Sequence, residues 1–319
     1  MCVKPPGPAR SYPESGLGSA GCMGRDVLID HLIRKLELFA RLSEADRVSL
    51  HEALTPPRSV AARTELAAEG DLLNSALIIL TGWACRYRQF ADGRQQIISI
   101  LLPGDLCEPA IPRQSRCGHA LASLTPVTLA QIPMLSLRDV MARSPALDEA
   151  FQLEALSAAA IQREWTVSLG CRTGIERLAH LFCELYARLA AVGLADGETC
   201  PLPITQGDLA DALGQTSVHI NRILQELRGG RLVALKSRRL TILNRHRLEE
   251  MAHFRPAYLS FVEQPCHGSP DCAAVPSSGK SRAGRHAQGA SRLETGGTAF
   301  ADAAEAQRRV RAGRLAVGV

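Results

Sequence analysis

The first stretch with a regular apolar pattern, DVLIDHLIRKLELFARL at 26–42 and SEADRVSLHEAL at 43–54, repeats its apolar positions every three to four residues. It predicts two short helices, the second capped by Ser43 with Asp46 three residues on. From Arg58 the period shortens. Apolar, β-rich runs (SALIIL, WACRYRQF, QQIISILL, VTLAQI) alternate with turn signals at Glu69-Gly70-Asp71, Thr81-Gly82, Asp92-Gly93 and Pro103-Gly104-Asp105. The glycines at 70, 82, 93 and 104 recur every 11 or 12 residues. That spacing suits antiparallel strands folded back on themselves as a barrel or jelly roll, and equally a generic sandwich.

Ser144-Pro145 then supplies an N-cap followed by proline at the first helical position. The run behind it carries Leu147, Phe151, Leu153, Ala155, Leu156, Ala158, Ala159, Ile161 and Trp165, apolar over more than one face. Such a helix packs on the β domain with one side and is expected to meet a second copy with the other. A further amphipathic helix over Gly174–Ala191 closes at Gly193. Near Pro201 a small domain begins. The expected division is therefore 1–24 without order, 25–143 a β domain, 144–170 a connecting helix, 171–263 a helix-turn-helix domain and 264–319 a tail without order, since both ends are rich in Pro, Gly and Ser and lack periodicity.

Within the small domain, Thr205 precedes Gln206-Gly207-Asp208, a capping box with Asp in the acidic place. That helix buries Leu209, Ala210 and Leu213 and stops at Gly214, and Thr216 is placed to cap the next from Ser217. Two short helices across a tight glycine turn are a helix-turn-helix pattern. At about 100° per residue, Ile220, Ile223, Leu224 and Leu227 fall on one stripe. Val218, Arg222 and Gln225 face away, flanked by Ser217 and Asn221 on one side and by His219 and Glu226 on the other. Solubility does not call for an outward Val between Arg and Gln. A DNA major groove does: Arg grips guanine, Gln or Asn pairs with adenine, and Val meets a thymine methyl. The strand-turn-strand that follows, LVAL and LTIL around Lys236-Ser237-Arg238-Arg239, forms a cationic wing suited to phosphates.

Charge sharpens this reading once it is located. Of the net +5, residues 264–319 hold eight Lys/Arg against four Asp/Glu, so the global balance says little. Leu227 to Leu248 instead carries Arg228, Arg231, Lys236, Arg238, Arg239, Arg245 and Arg247 with no acid. The ten cysteines contain no C-x-x-C pair, so no metal site and no cofactor is expected. No run of about 18 uncharged apolar residues occurs and no signal-like segment opens the chain, so a cytoplasmic protein off the membrane is expected. Nucleotide loops and nucleophile motifs are missing as well, which argues against an enzyme. The competing reading is a small-molecule or redox sensor acting through protein partners.

The order of parts resembles the Crp/Fnr family of bacterial transcription regulators over roughly residues 26–262. The resemblance is carried by EGD at 69–71, TGWACRYRQFADGRQQIISILLPGDLC at 81–107 and ITQGDLADALGQTSVHINRILQELRGGRLV at 204–233. It implies an α+β chain: an antiparallel β-roll like a cyclic-nucleotide-binding domain, a long dimerisation helix and a winged helix-turn-helix. It further implies a homodimer on a palindromic operator of double-stranded DNA, with RNA polymerase as a partner. Base contacts fall on Ser217, Val218, His219, Asn221, Arg222 and Gln225, and phosphate contacts on Thr205, Thr216, Lys236, Arg238 and Arg239. The effector pocket maps onto Gly104, Asp105, Cys107, Glu108 and Cys117, and it departs from the pattern of cyclic-nucleotide binders. Cys107 precedes Glu108 where they carry glycine, Pro109 follows, and Cys117-Gly118 stands where their phosphate-binding arginine belongs. A cyclic phosphate there would lack its guanidinium, unless Arg113 or Arg116 replaced it. The chain is therefore expected to work without cyclic AMP. The near-terminal cysteine run of oxygen-sensing members is reduced to Cys2 and Cys22. Haem through His31, His51 or His119, and a redox pair of Cys107 with Cys117, stay open.

Overall fold

The computed structural model describes residues 25–108 and 115–259. The termini expected to lack order, together with Cys2, Cys22, Pro109 and Arg113, lie outside the described residues. Two helices open the described chain, α1 (Arg25–Glu37) and α2 (Glu44–Ala53). Ser43 caps α2 in a complete capping box with Asp46. Nine strands follow: β1 (Arg58–Val60), β2 (Glu65–Ala67), β3 (Leu72–Leu73), β4 (Ser75–Thr81), β5 (Ala84–Gln89), β6 (Gln95–Leu101), β7 (Ser115–Arg116), β8 (Ala120–Ser123) and β9 (Val127–Pro133). Every pairing is antiparallel, with strand orders β1-β9-β4, β2-β8-β5-β6 and β3-β7.

The roll encloses its own core, including Leu77, Ile79, Ala84, Leu101, Leu121 and Leu129. The alternate residues of β4 (Ala76, Ile78, Leu80) face a second core shared with α1, α2, the short helix α3 (Met134–Arg143) and the start of α4 (Pro145–Cys171). Burial on both faces is why SALIIL reads as an unbroken apolar run. The outward residues of β5 and β6, Cys85, Ile97 and Ile100, join a third core with the rest of the chain.

The Ser144 hydroxyl accepts the amide of Leu147, and α4 runs unbroken to Cys171. Leu147, Phe151, Ile161 and Trp165 are buried, while Leu156 and Val167 stay 52% and 49% exposed. After α5 (Gly174–Ala191) come β10 (Thr199–Pro201), α6 (Gln206–Leu213), α7 (Ser217–Gly229), β11 (Val233–Lys236), β12 (Arg239–Ile242), α8 (Arg245–Ala252) and a 3-10 turn at Pro256–Leu259. The three short strands form one sheet, β10-β12-β11.

Gly82 and Gly104 have no substitute. Both take a left-handed backbone (φ 77° and 91°), and a Cβ would meet the Pro126 carbonyl at 2.1 Å in the first and that of His31 at 2.6 Å in the second.

Candidate nucleic-acid interface

Local sequence builds α6 and α7 as expected. The Thr205 hydroxyl accepts the Asp208 amide while the Asp208 carboxylate takes the Thr205 amide, a full capping box. Gly214 closes α6 in the left-handed region (φ 62°), and the Thr216 hydroxyl accepts the His219 amide to start α7. Ile220, Ile223, Leu224 and Leu227 are buried against α5 and α6. Opposite them Ser217, Asn221, Arg222 and Gln225 are exposed, Val218 is 82% exposed, and His219 is half-buried.

The outward polar groups hold one another rather than dangle. Gln225 Nε2 donates to Asn221 Oδ1 (3.1 Å), Asn221 Nδ2 donates to Gln206 Oε1 (3.2 Å), and Arg222 Nη2 meets His219 Nδ1 at 3.1 Å. Gln206, at the first position of α6, thus joins the face presented by α7. Nothing local in the sequence marks that role, because its partner Asn221 lies 15 residues on in α7. Thr216 keeps its hydroxyl proton available, whereas the amide and hydroxyl of Thr205 both donate to Asp208 Oδ2, so a phosphate at Thr205 competes with the cap.

The wing is a two-residue hairpin. Lys236 pairs across the ladder with Arg239, and Ser237 and Arg238 both adopt positive φ (50° and 57°), the backbone of a type I′ turn made without glycine. The Arg238 carbonyl is pinned by the Leu202 amide at 2.8 Å. Lys236, Arg238 and Arg239 are exposed and form no ion pair with a carboxylate among the described residues, as is also true of Arg222, Arg228 and Arg231. The basic stretch is nevertheless smaller in space than in sequence. Arg245 turns onto Glu249 (2.8 Å) and lies over the Tyr186 ring, so it leaves the free cationic surface.

The expected effector pocket is divided by the structure. Cys107 and Cys117 are both buried in the core of the roll, among side chains that fill its interior. Glu108 pairs with Arg86 Nε at 3.1 Å, and Arg86 Nη2 donates to the Cys107 carbonyl. Asp105 faces elsewhere: it joins Lys35 and Arg188 (2.6 Å), and its carboxylate takes the Leu102 amide. A cavity of about 90 Å³ lies on that side, between α1, α4 and α5, lined by Lys35, Asp105, Glu154 and Arg188 but not by Cys107, Glu108 or Cys117. Burial opposes the charge on Asp105, yet Lys35 and Arg188 outweigh it and hold the carboxyl below its usual range. Burial pushes the Cys107 thiol up to about 12 and raises Cys117, so neither favours the thiolate that redox exchange requires. The His31 ring instead faces the Val192 carbonyl at 3.3 Å.

Sequence reasoning missed the buried Glu184. Its carboxylate takes Trp165 Nε1 (3.0 Å), the Tyr258 hydroxyl (3.1 Å) and Arg188 Nη1 (3.1 Å). The signal was Glu184 four residues before Arg188, with Phe182, Cys183, Leu185 and Tyr186 around it in the apolar part of α5.

Residues 57–144 match the cyclic nucleotide-binding domain, and residues 176–251 match the Crp-like helix-turn-helix domain. The chain is 26% identical over 214 residues to the transcriptional activator protein FnrL of Cereibacter sphaeroides, covering 66% of this chain and 85% of that one. It is 29% identical over 175 residues to the nitrogen fixation regulation protein FixK of Rhizobium meliloti, covering 55% and 76% respectively. Against the fumarate and nitrate reduction regulatory protein of Vibrio cholerae the identity is 28% over 214 residues, 66% of this chain and 84% of the other. Among solved structures, FixK2 of Bradyrhizobium japonicum shares the fold with a TM-score of 0.55 and 23% identity, over 61% of this chain and 96% of that one.

Proposed function

The chain belongs to the Crp/Fnr family of bacterial transcription regulators, and from that premise we propose that it binds a palindromic operator as a homodimer and does so without cyclic AMP. One observation carries the DNA reading: the 82% exposed Val218 stands among Arg222, Gln225 and Asn221 on the face of α7 opposite its buried stripe. Its polar groups bond chiefly to one another, and it has the hydrogen-bonding and methyl-contact groups that read base edges. Base contacts are assigned to Ser217, Val218, His219, Asn221, Arg222 and Gln225. Thr205, Thr216, Lys236, Arg238 and Arg239 are assigned to phosphates, which fix register and affinity rather than sequence.

Independence from cyclic AMP is supported by the packing of the roll. Side chains including Cys107 and Cys117 occupy its interior, and Arg86 is engaged by Glu108 and the Cys107 carbonyl. The homodimer is supported by the apolar positions left uncovered on α4, and relatives named as activators support transcriptional control involving RNA polymerase. No described helix is long and apolar enough to cross a membrane, and a cytoplasmic location is part of the proposal. The family and these relatives are regulators, not enzymes.

Selection of bound sequences from random duplex DNA, followed by a salt titration on the winner, tests the reading. The expected result is a palindrome with half-sites about one helical turn apart, unchanged by added cyclic AMP. Its affinity should fall steeply with ionic strength as counterions are released. A flat salt response, or no enriched sequence, overturns the proposal.

A further inference from the structure

The first helix of the helix-turn-helix pair touches the β-roll at both ends. At its N-terminal turn, Arg63 Nη1 and Nη2 reach the two carboxylate oxygens of Asp208 at 2.5 and 2.8 Å, a bidentate fork across 145 residues. At its C-terminal end, Gln96 Nε2 donates to the Ala212 carbonyl at 3.1 Å, one of the carbonyls that a helix end leaves without an internal partner. Between these points Leu209, Ala210, Ala212 and Leu213 share one core with Trp83, Cys85 and Ile97 of the roll. Arg63 is held for this contact. It takes a left-handed backbone (φ 60°) without being glycine, its amide donates to the Ser123 carbonyl at 2.9 Å, and the Ser123 hydroxyl fastens both the Ala61 carbonyl and the Thr64 amide. A strained residue fixed by its surroundings marks a position that the fold over-determines.

The clamp leaves the reading face open: with α6 docked, Val218, Arg222 and Gln225 all remain exposed. It also compensates a buried charge. Asp208 is 5% exposed and lies about 200° around α6 from Gln206, so the fork faces the roll while Gln206 keeps its contact with Asn221. A carboxylate buried there without a partner is costly, and the Arg63 guanidinium supplies the partner. We propose that Arg63 and Gln96 of the β-roll hold the helix-turn-helix in its DNA-binding placement, Arg63 acting as a positioning residue outside the DNA-binding domain. The inference rests on the DNA reading given above, and it makes the sensory roll part of what the operator requires.

The test compares Arg63→Ala and Gln96→Ala with wild-type chain on the operator that the wild type selects, alongside hydrogen exchange of the α6 amides without DNA. Arg63→Ala is expected to bind about fivefold more weakly, at the low end of usual coupling between sites, with base preference unchanged. The deficit should persist as salt rises, because a displaced reading face causes it, whereas loss of a direct Arg63–phosphate contact would give a deficit that shrinks with salt. Both variants should exchange faster in α6. Gln96→Ala, which removes no charge, keeps the test decisive if Arg63→Ala folds poorly. Equal or tighter binding by Arg63→Ala, or exchange in α6 unchanged in both variants, overturns the inference. A wild type that selects no DNA sinks the DNA reading instead, and the exchange measurement still judges the clamp.

Discussion

Arg222 spends one of its five N–H groups on His219 and leaves the rest of its fork to the surface. The contact orders a long side chain before any duplex arrives, so less rotamer freedom is lost on binding. Arg222→Ala is accordingly expected to weaken specific operator binding by about 1–3 kcal/mol and to relax preference at a single base pair, leaving weak non-specific binding nearly intact. Competition titrations of operator against mixed-sequence DNA check it, and equal discrimination by variant and wild type removes Arg222 from the base contacts. This residue was legible because its direction follows from its own helix: a period of 3.6 and four apolar partners fix which way it faces. Asp208 was half legible. Its capping role lies within three residues of Thr205, but its second role depends on Arg63, 145 residues away, and no local pattern records such a contact.

Whole elements follow the same division between local and distant causes. Capped helices α2, α4, α6 and α7 could be read from Ser43, Ser144, Thr205 and Thr216, since a cap and the turn it closes are neighbours in sequence. The short strands β3, β7 and β8 could not, because their few residues take strand form only through partners supplied by the roll. The turn before Leu106 was read as a turn and its Asp105 was placed in one pocket with Cys107, Glu108 and Cys117, whereas it joins α1 through Lys35 and α5 through Arg188, on a cavity those three do not line. Asp105→Asn takes one carboxylate from Lys35 and Arg188, which keep Glu154 and Glu184 as partners, so it should cost about 1–3 kcal/mol at pH 7, the range of lost charged hydrogen bonds. The pH dependence has a definite sign. A carboxyl held below its ordinary value contributes stability that is present above the unfolded pKa and is lost as pH falls through the folded one. The gap between wild type and variant should therefore narrow below about pH 4, as urea unfolding at pH 7 and pH 3 would show. The same gap at both values contradicts a charged Asp105. Glu184, raised by burial despite Arg188, contributes in the opposite sense.

At the scale of the whole molecule, the unfinished surface is the outer stripe of α4. Leu156 and Val167 are 11 residues apart, three turns plus about 20°, so they share one side of the helix with Ala159 and Arg163 between them. Their exposures of 52% and 49% contrast with Phe151, Ile161 and Trp165, all buried on the opposite side. Large apolar groups aligned at helical spacing on a surface suit an interface, and in the proposed homodimer a second copy using the same stripe would close it by two-fold symmetry. Two reading helices related by that axis are what a palindrome requires. The double substitution Leu156→Glu with Val167→Glu puts four carboxylates into such an interface while changing positions that the single chain leaves in water. The monomer fold should therefore survive, with unchanged circular dichroism. Sedimentation should shift from dimer to monomer, and affinity for the full palindrome should fall by roughly 10²- to 10⁴-fold as the avidity of two linked sites is lost. Binding to an isolated half-site should stay as weak as it was. A variant that still sediments as a dimer would place the interface elsewhere, and the symmetric operator would then need a different axis to explain it.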